Sequence, residues 1–580
     1  MNTIGFKNFR RFANFPEINL GDVTVLVGGN NSGKSTLVKA LLLCVDNIRL
    51  MRMDDRRHGE NKSILSFNKP LFRFDANEYH DVKIKEFARA IHNKPVETDD
   101  IVSDIITKRK KKALPTTIVF NVTLGQFHFT LYVSGNRDER STTGDVNCII
   151  IEDKKSHVRY TNDYAHHNMA YEILNTDFEE QKTIVQKLAS DLKKKKKALG
   201  KATDEGDLET ITSMTKSLDK IKMQIKSMLD KDSEDDNTSE EELLKILARD
   251  FFKNHKPVKA RFDELPLGIS HDEVAEPVVL NVISNILNFA TTKGVAPKEK
   301  PNSDPEEHQM DMEYYATMER YRRDMALDEN IFIQSRRDLK QLLDSLSVEY
   351  ISAHAANQNT LYNTADENDY LAQTVHNFWR EKINPGDSEY EFVREWMQKF
   401  EIGIDFKIEA LVPGEAYTVS ITEEDGGIVS LADKGMGAIQ MMILLLLLAT
   451  ILYTHKPKSF KEFREWLSPI IVIEEPEQNL HPKMQSFLAD LFHHLASYEN
   501  CKFMIETHSE DLIRKSQVLV QEEHFVDDSE LKEHNKFKIY YLPNDGSLPY
   551  EMIYRTDGCF ANDFGEGFFD EAENLAFKVL

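Results

Sequence analysis

The chain has 580 residues, 41% of them hydrophobic and 29% charged, with a formal net charge of −24 at pH 7. That length divides into two or more domains, and the acid excess excludes a surface coated for nucleic-acid binding while leaving local basic strips open. The cysteines Cys44, Cys148, Cys501 and Cys559 form no metal-ligand spacing or disulfide framework, and the start MNTIGFKNFRRFANF lacks a signal peptide's apolar run, so a cytoplasmic protein is expected.

The first informative stretch is INLGDVTVLVGGNNSGKSTLVKALLL. Val23–Val27 reads as a short apolar strand, Gly28 to Ser35 matches G-x-x-x-x-G-K-[ST], and Thr36–Leu43 continues as an amphipathic helix. Strand, glycine loop and helix in that order are the context a P-loop requires. Backbone N–H groups of Gly28, Asn30, Asn31, Ser32, Gly33 and Thr36 would surround the phosphates of ATP, and the helix N-terminus adds a favourable dipole. Lys34 would reach the β- and γ-phosphates, and the Ser35 hydroxyl would hold Mg²⁺.

Further along, KRKKK at Lys108–Lys112 is a basic strip, and IVFNVTLGQFHFTLYV alternates apolar and polar residues, predicting antiparallel strands from Thr117 to about Glu152. Between Asp177 and Lys231 the pattern changes to heptads. Phe178, Val185, Leu188, Leu192 and Leu199 share one face; Met214, Leu218, Ile221, Ile225 and Met228 share another; Gly200 and Gly206 bracket the turn. An antiparallel coiled-coil hairpin is expected there, each helix of about 24 residues reaching roughly 36 Å. It carries a second strip, KKKKK at Lys193–Lys197, and its tip has no Cys-x-x-Cys. Acidic KDSEDDNTSEEE and GVAPKEKPNSDPEEH read as linkers in a helical insertion.

In VEYISAHAANQNTLYN, His354 and Asn357 are open to two readings, a ligand-facing loop or a satisfied core histidine. MMILLLLLATILY, Met441–Tyr453, falls short of the roughly 20 residues of a membrane span and predicts a buried core helix. IIVIEEPEQNLHP follows. Its Ile/Ile/Val/Ile run suits a parallel strand covered on both faces, Pro476 ends the ladder, and Pro482 suits the first turn of a helix. Two carboxylates thus stand at the end of a central strand, where open α/β sheets place ligands. Glu474 is expected to bind Mg²⁺, and Glu475 to take a proton from the water attacking the γ-phosphate.

Four stretches resemble the ABC-type ATPases of the group that includes RecF and SMC heads and the overcoming-lysogenization-defect (OLD) ATPases. NFRRF followed by VLVGGNNSGKST is similar to that group's N-terminal strand and Walker A, and SLADKGMGAIQ to its signature motif. EEPEQNLHP is similar to Walker B plus the D-loop, and FMIETHSEDLI to the switch-histidine strand. The resemblance implies an α/β ABC-type P-loop head carrying the coiled-coil and helical insertion. It implies ATP and Mg²⁺ as ligands, with Arg10, Ser430, Asp433, Gly435 and Gly437 among the nucleotide-binding residues and His508 as the switch. The expected layout is an N-terminal head lobe over 1–176, the hairpin over 177–231, the insertion over 232–345 and the C-terminal head lobe over 346–580.

By the same resemblance, the signature of one protomer caps the partner's nucleotide, so a homodimer joined through ATP, or a higher oligomer, is implied. Three functions compete. One is an anti-phage ATPase controlling a separate effector nuclease, as with PtuA of Septu and retron systems or the PARIS ATPase. Another is a DNA-repair ATPase of the RecF/SMC type, with nucleic acid held on the basic strips. The third, a full OLD nuclease, needs a Toprim domain of about 100 residues, whereas about seventy residues follow His508. An intrinsic nuclease and a membrane partner are therefore not expected.

Overall fold

The computed structural model describes residues 2–51, 70–75, 84–95, 117–135, 141–165, 168–174, 258–262, 277–292, 329–352, 362–363, 370–456, 469–565, 568–570 and 578. The heptad hairpin, both lysine strips, both linkers, His354 and Asn357 lie outside these residues. The chain forms two compact units: residues 1–149, 268–281 and 336–580 make the first, and residues 150–267 and 282–335 the second.

In the first unit, the chain opens with β1 (Asn2–Phe9), β2 (Phe12–Leu20) and β3 (Val23–Val27), followed by α1 (Lys34–Leu50). After β4 (Leu71–Arg73) and the short α2 (Phe87–Ala90), an antiparallel set is completed by β5 (Thr117–Leu124), β6 (Phe127–Ser134) and β7 (Thr143–Asp153), the last four residues of which belong to the second unit. β1 lies between β2 and β5, with β6 beyond β5 and β4 paired to β7. Phe6, Phe9 and Phe120 are fully buried in this layer, their rings packed edge to face.

The second unit, taken by itself, holds an antiparallel ribbon of β8 (Val158–Asp163), β9 (Asn168–Ile173) and β10 (Val258–Phe262). Two helices, α3 (Val278–Thr292) and α4 (Glu329–Ser345), cross from one unit's residues into the other's. Within the second unit, Ser335 Oγ donates to Asp153 at 2.6 Å and Phe332 packs edge-on against Tyr160.

The C-terminal half of the first unit supplies the central sheet. Its remaining strands are β11 (Val348–Ile351), β12 (Tyr362–Asn363), β13 (Asp405–Val412), β14 (Ala416–Thr422), β15 (Ile428–Ser430), β16 (Ile470–Glu474), β17 (Lys502–Glu506), β18 (Phe537–Tyr541) and β19 (Tyr550–Met552). Its helices are α5 (Tyr370–Arg380), α6 (Ser388–Lys399), α7 (Met436–His455), α8 (Pro482–Tyr498), α9 (Glu510–Glu522) and α10 (Asp528–His534). The six-stranded sheet runs β11-β16-β17-β3-β18-β19, parallel throughout except for β19. VTVLV of β3 is buried along its whole length, as are Ile470 to Ile473 of β16, the burial pattern of parallel strands covered on both faces.

The apolar run around Leu445 extends farther than its sequence suggests. Helix α7 spans 20 residues and by length and composition alone could cross a membrane, yet its leucines, from Leu444 to Leu446 and Leu448, are buried in the sheet's core. Gly435 starts it, which adds a turn before the apolar stretch. As expected, Pro482 occupies the first turn of α8, where His481 caps the Lys483 N–H.

Candidate functional site

The loop from Gly28 to Gly33 is shaped by backbone that side chains resist. Gly28 and Gly33 have φ of +151° and +108°, and a Cβ on Gly28 would lie 2.4 Å from the Leu542 carbonyl oxygen. That crowding leaves glycine as the residue that fits. Asn31 is left-handed as well, with φ of 62°. The loop then enters α1, whose first residue Lys34 is 3% exposed.

Lys34 sits at the junction of three strands. Its Nζ donates to the carbonyl oxygens of Gly28 at 2.9 Å and Gly29 at 3.3 Å, and lies 3.1 Å from His508 Nε2 and 3.8 Å from Glu506 Oε1. The ammonium is the donor to His508, so Nε2 carries no proton. Burial, reinforced by Lys34, lowers the His508 pKa in keeping with that. Ser35 Oγ lies 3.0 and 3.2 Å from the two carboxylate oxygens of Glu506. Burial, and secondarily Glu474, raises the Glu506 carboxyl to about 7, while burial lowers Lys34 against the pull of Glu506, Glu475 and Glu477. Desolvation thus outweighs the attraction between the two partners on both sides of this pair.

The paired acids adjoin this cluster. Glu474 is the register partner of Glu506 across β16 and β17. Glu475 is left-handed, with φ of 46°, and its N–H donates to the Glu506 carbonyl at 2.7 Å. Its carboxylate accepts from Gln478. Glu477, 9% exposed, accepts the His508 N–H at 2.6 Å, tying the D-loop stretch to the histidine strand.

Beside the loop opens a cavity of about 960 Å³ lined by residues 31–36 together with Arg10, Arg11, Lys39, Arg89 and Glu506, among others. Five cations, counting Lys34, face one carboxylate in a chain whose net charge is −24. Arg10 and Lys39 are both lowered from their usual pKa, first by burial and then by a neighbouring arginine. Such crowding of like charge is relieved by an anion. Ser32 Oγ is buried with no hydrogen-bond partner. The glycine cradle and that orphaned hydroxyl fit a phosphate-bearing nucleotide, and the oxygen donors of Ser35, Glu474 and Glu506 fit Mg²⁺.

The structure therefore brings together Gly28, Lys34, Ser35, Glu474, Glu475 and His508, and lines one cavity with Arg10, Asn31, Ser32, Gly33 and Thr36. Asn30 is exposed on the same loop. Ser430, Asp433, Gly435 and Gly437 stand apart from that cavity. Ser430 caps a single 3₁₀ turn containing Asp433, and Gly435 begins α7. A Cβ on Gly437 would lie 2.5 Å from the Asn479 carbonyl, so the first turn of α7 packs on the loop after β16, whereas a Cβ on Gly435 would meet nothing. Glu506, Lys39 and Arg89 were not picked out from the sequence. Glu506 precedes His508 by two residues, and the run IET at a strand end repeats the apolar-then-acid signal of IIVIEE.

A family profile described as "AAA ATPase domain" matches residues 1–513. No curated protein matches the chain. Among solved structures, the SMC head domain with an extended coiled coil bound to the C-terminal domain of ScpA from Pyrococcus furiosus is 9% identical, with 100% of both chains covered and a TM-score of 0.29. The SMC head domain from Thermotoga maritima is 10% identical over 95% of this chain and 98% of that one, also with a TM-score of 0.29.

Proposed function

The chain belongs to the AAA ATPase domain family, and from that premise we propose that it is a dimerising ATPase whose nucleotide state controls a separate effector nuclease in anti-phage defence. The observation that carries the ATPase reading is the cluster around Lys34, in which P-loop, histidine strand and paired acids meet within hydrogen-bonding reach. Lys34 exchanges its carbonyl and His508 partners for the β- and γ-phosphates. Ser35 and Glu474 would hold Mg²⁺, which would supply charge neutralisation at those phosphates. Glu475 accepts the proton of the attacking water, with Gln478 fixing its carboxylate. His508 stands beside Lys34, where it senses the γ-phosphate.

Dimerisation is supported by the open surroundings of Gly435 at the start of α7. The Ser430–Gly437 segment stands apart from its own protomer's cavity and is free to cap the nucleotide of a second copy. A defence role rests on the motif resemblance, the acidic balance and the short predicted hairpin. The second reading, direct action on DNA, is favoured by the two lysine strips. Expression with and without a neighbouring nuclease gene tests the choice. Phage protection that needs both genes and an intact Lys34 supports the first reading. Salt-sensitive DNA binding by the ATPase alone, with no phage phenotype, supports the second.

A further inference from the structure

We propose that Glu506 is a ligand of the divalent cation, shared with Ser35 and Glu474; this rests on the nucleotide-binding reading and adds a residue to it. Glu506 ends β17, the strand inserted between the P-loop strand β3 and the acidic strand β16. From that place it, rather than β16, meets the Ser35 hydroxyl, with both carboxylate oxygens within 3.2 Å. It is 6% exposed; Ser35 and Lys34 touch it, Glu474 is its register partner with Glu475 next along, and Arg10, Arg11, Lys39 and Arg89 share the cavity wall without reaching it as ion pairs.

Charge balance carries the inference. A carboxylate this deeply buried needs a compensating cation, and Lys34, at 3.8 Å, is its only basic ion-pair partner among the described residues. A bound triphosphate claims the Lys34 ammonium. The arginines and Lys39 of the cavity are matched by the phosphates, so Glu506 is left beside Glu474 with no cation in contact, and a hard divalent cation among three oxygen donors would supply it. The hydroxyl and both carboxylates come from three different elements, α1, β16 and β17, which fixes them against one another.

The test uses the full chain saturated with a non-hydrolysable ATP analogue. Mg²⁺ is titrated calorimetrically, Mn²⁺ is followed by electron paramagnetic resonance, and a fluorescent ATP analogue is titrated separately in EDTA. Glu506→Gln is expected to weaken metal affinity by about tenfold or more, with metal-free nucleotide affinity kept or increased. Glu506→Asp retains the charge but withdraws the oxygens by one methylene; it keeps the proposal testable if the Gln variant fails to fold, and it too is expected to bind metal several-fold more weakly. Unchanged metal affinity in a folded variant overturns the proposal. So does an equal loss of nucleotide affinity with and without metal, which would make Glu506 a strut of the P-loop. If the unaltered protein binds no nucleotide under any condition, the ATPase reading falls first and this one with it.

Discussion

Glu475 is held in a left-handed conformation by its N–H bond to the Glu506 carbonyl. Its position is set by the backbone, so a change of side chain should leave the site's geometry in place. Glu475→Gln is expected to lower turnover by about 10²–10⁴-fold, the usual worth of a general base, with equilibrium ATP binding retained. Single-turnover hydrolysis and fluorescent-nucleotide titration measure the two separately, and turnover at the unaltered rate would remove Glu475 from that role. Lys34→Ala should behave differently. It takes away the phosphate-binding cation and leaves Glu506 buried without its 3.8 Å partner, so nucleotide affinity itself should fall. The glycine loop, Lys34 and the Glu474–Glu475 pair were legible in the sequence because each motif states its own geometry. Glu506, Lys39 and Arg89 were not, since a single charged residue acquires meaning only when folding brings it to a cavity wall.

Among the elements, β3, β16 and the helix of Met441–Tyr453 were readable from composition alone. Continuous β-branched or leucine runs have no polar face to turn to water. The strand β17 between β16 and β3 was recognised by its histidine, yet its position in the sheet was not, because strand order depends on long-range pairing that no local pattern encodes. The small sheet of β12, β13, β14 and β15 was also missed, although YTVSIT alternates strictly and buries Tyr417, Val419 and Ile421; its partner KIEALV loses the alternation at Leu411 and Val412, which are exposed on an edge strand. Helix α7 lies in the hydrophobic core of the first unit, packed against α5 and α6. Leu445, fully buried on it, is expected to cost about 2–5 kcal/mol when changed to Ala, through lost burial and the cavity left behind. Chemical denaturation of the ligand-free protein measures this. A loss below about 1 kcal/mol would mean that α7 is not packed as described.

At the scale of the whole molecule, the Ser430–Gly437 segment and the Lys34 cavity are complementary halves of what we propose is a site made between two copies. A Lys34→Ala protomer and a Gly435→Glu protomer should each be inactive. Mixed, they should regain ATPase activity, because one of the two sites in the heterodimer then has an intact loop and an intact signature; exchange is followed with differently labelled protomers. Exchange without recovered activity would refute capping across the dimer. Gly435 suits the experiment because a side chain there meets nothing within its own protomer. The strand order carries a separate consequence for how the protein is made. Residues 23–27 of β3 pair on one side with residues 503–506 and on the other with residues 537–541. On the ribosome, the P-loop strand is made long before residues 503–541, and neither neighbour is there to pair with it until then. Pairing of this sequence separation is slow and leaves an apolar strand exposed meanwhile. A chain cut off before residue 503 therefore has a glycine loop but neither sheet neighbour to hold it, so the capacity to bind nucleotide is withheld until residues 503–541 have been made.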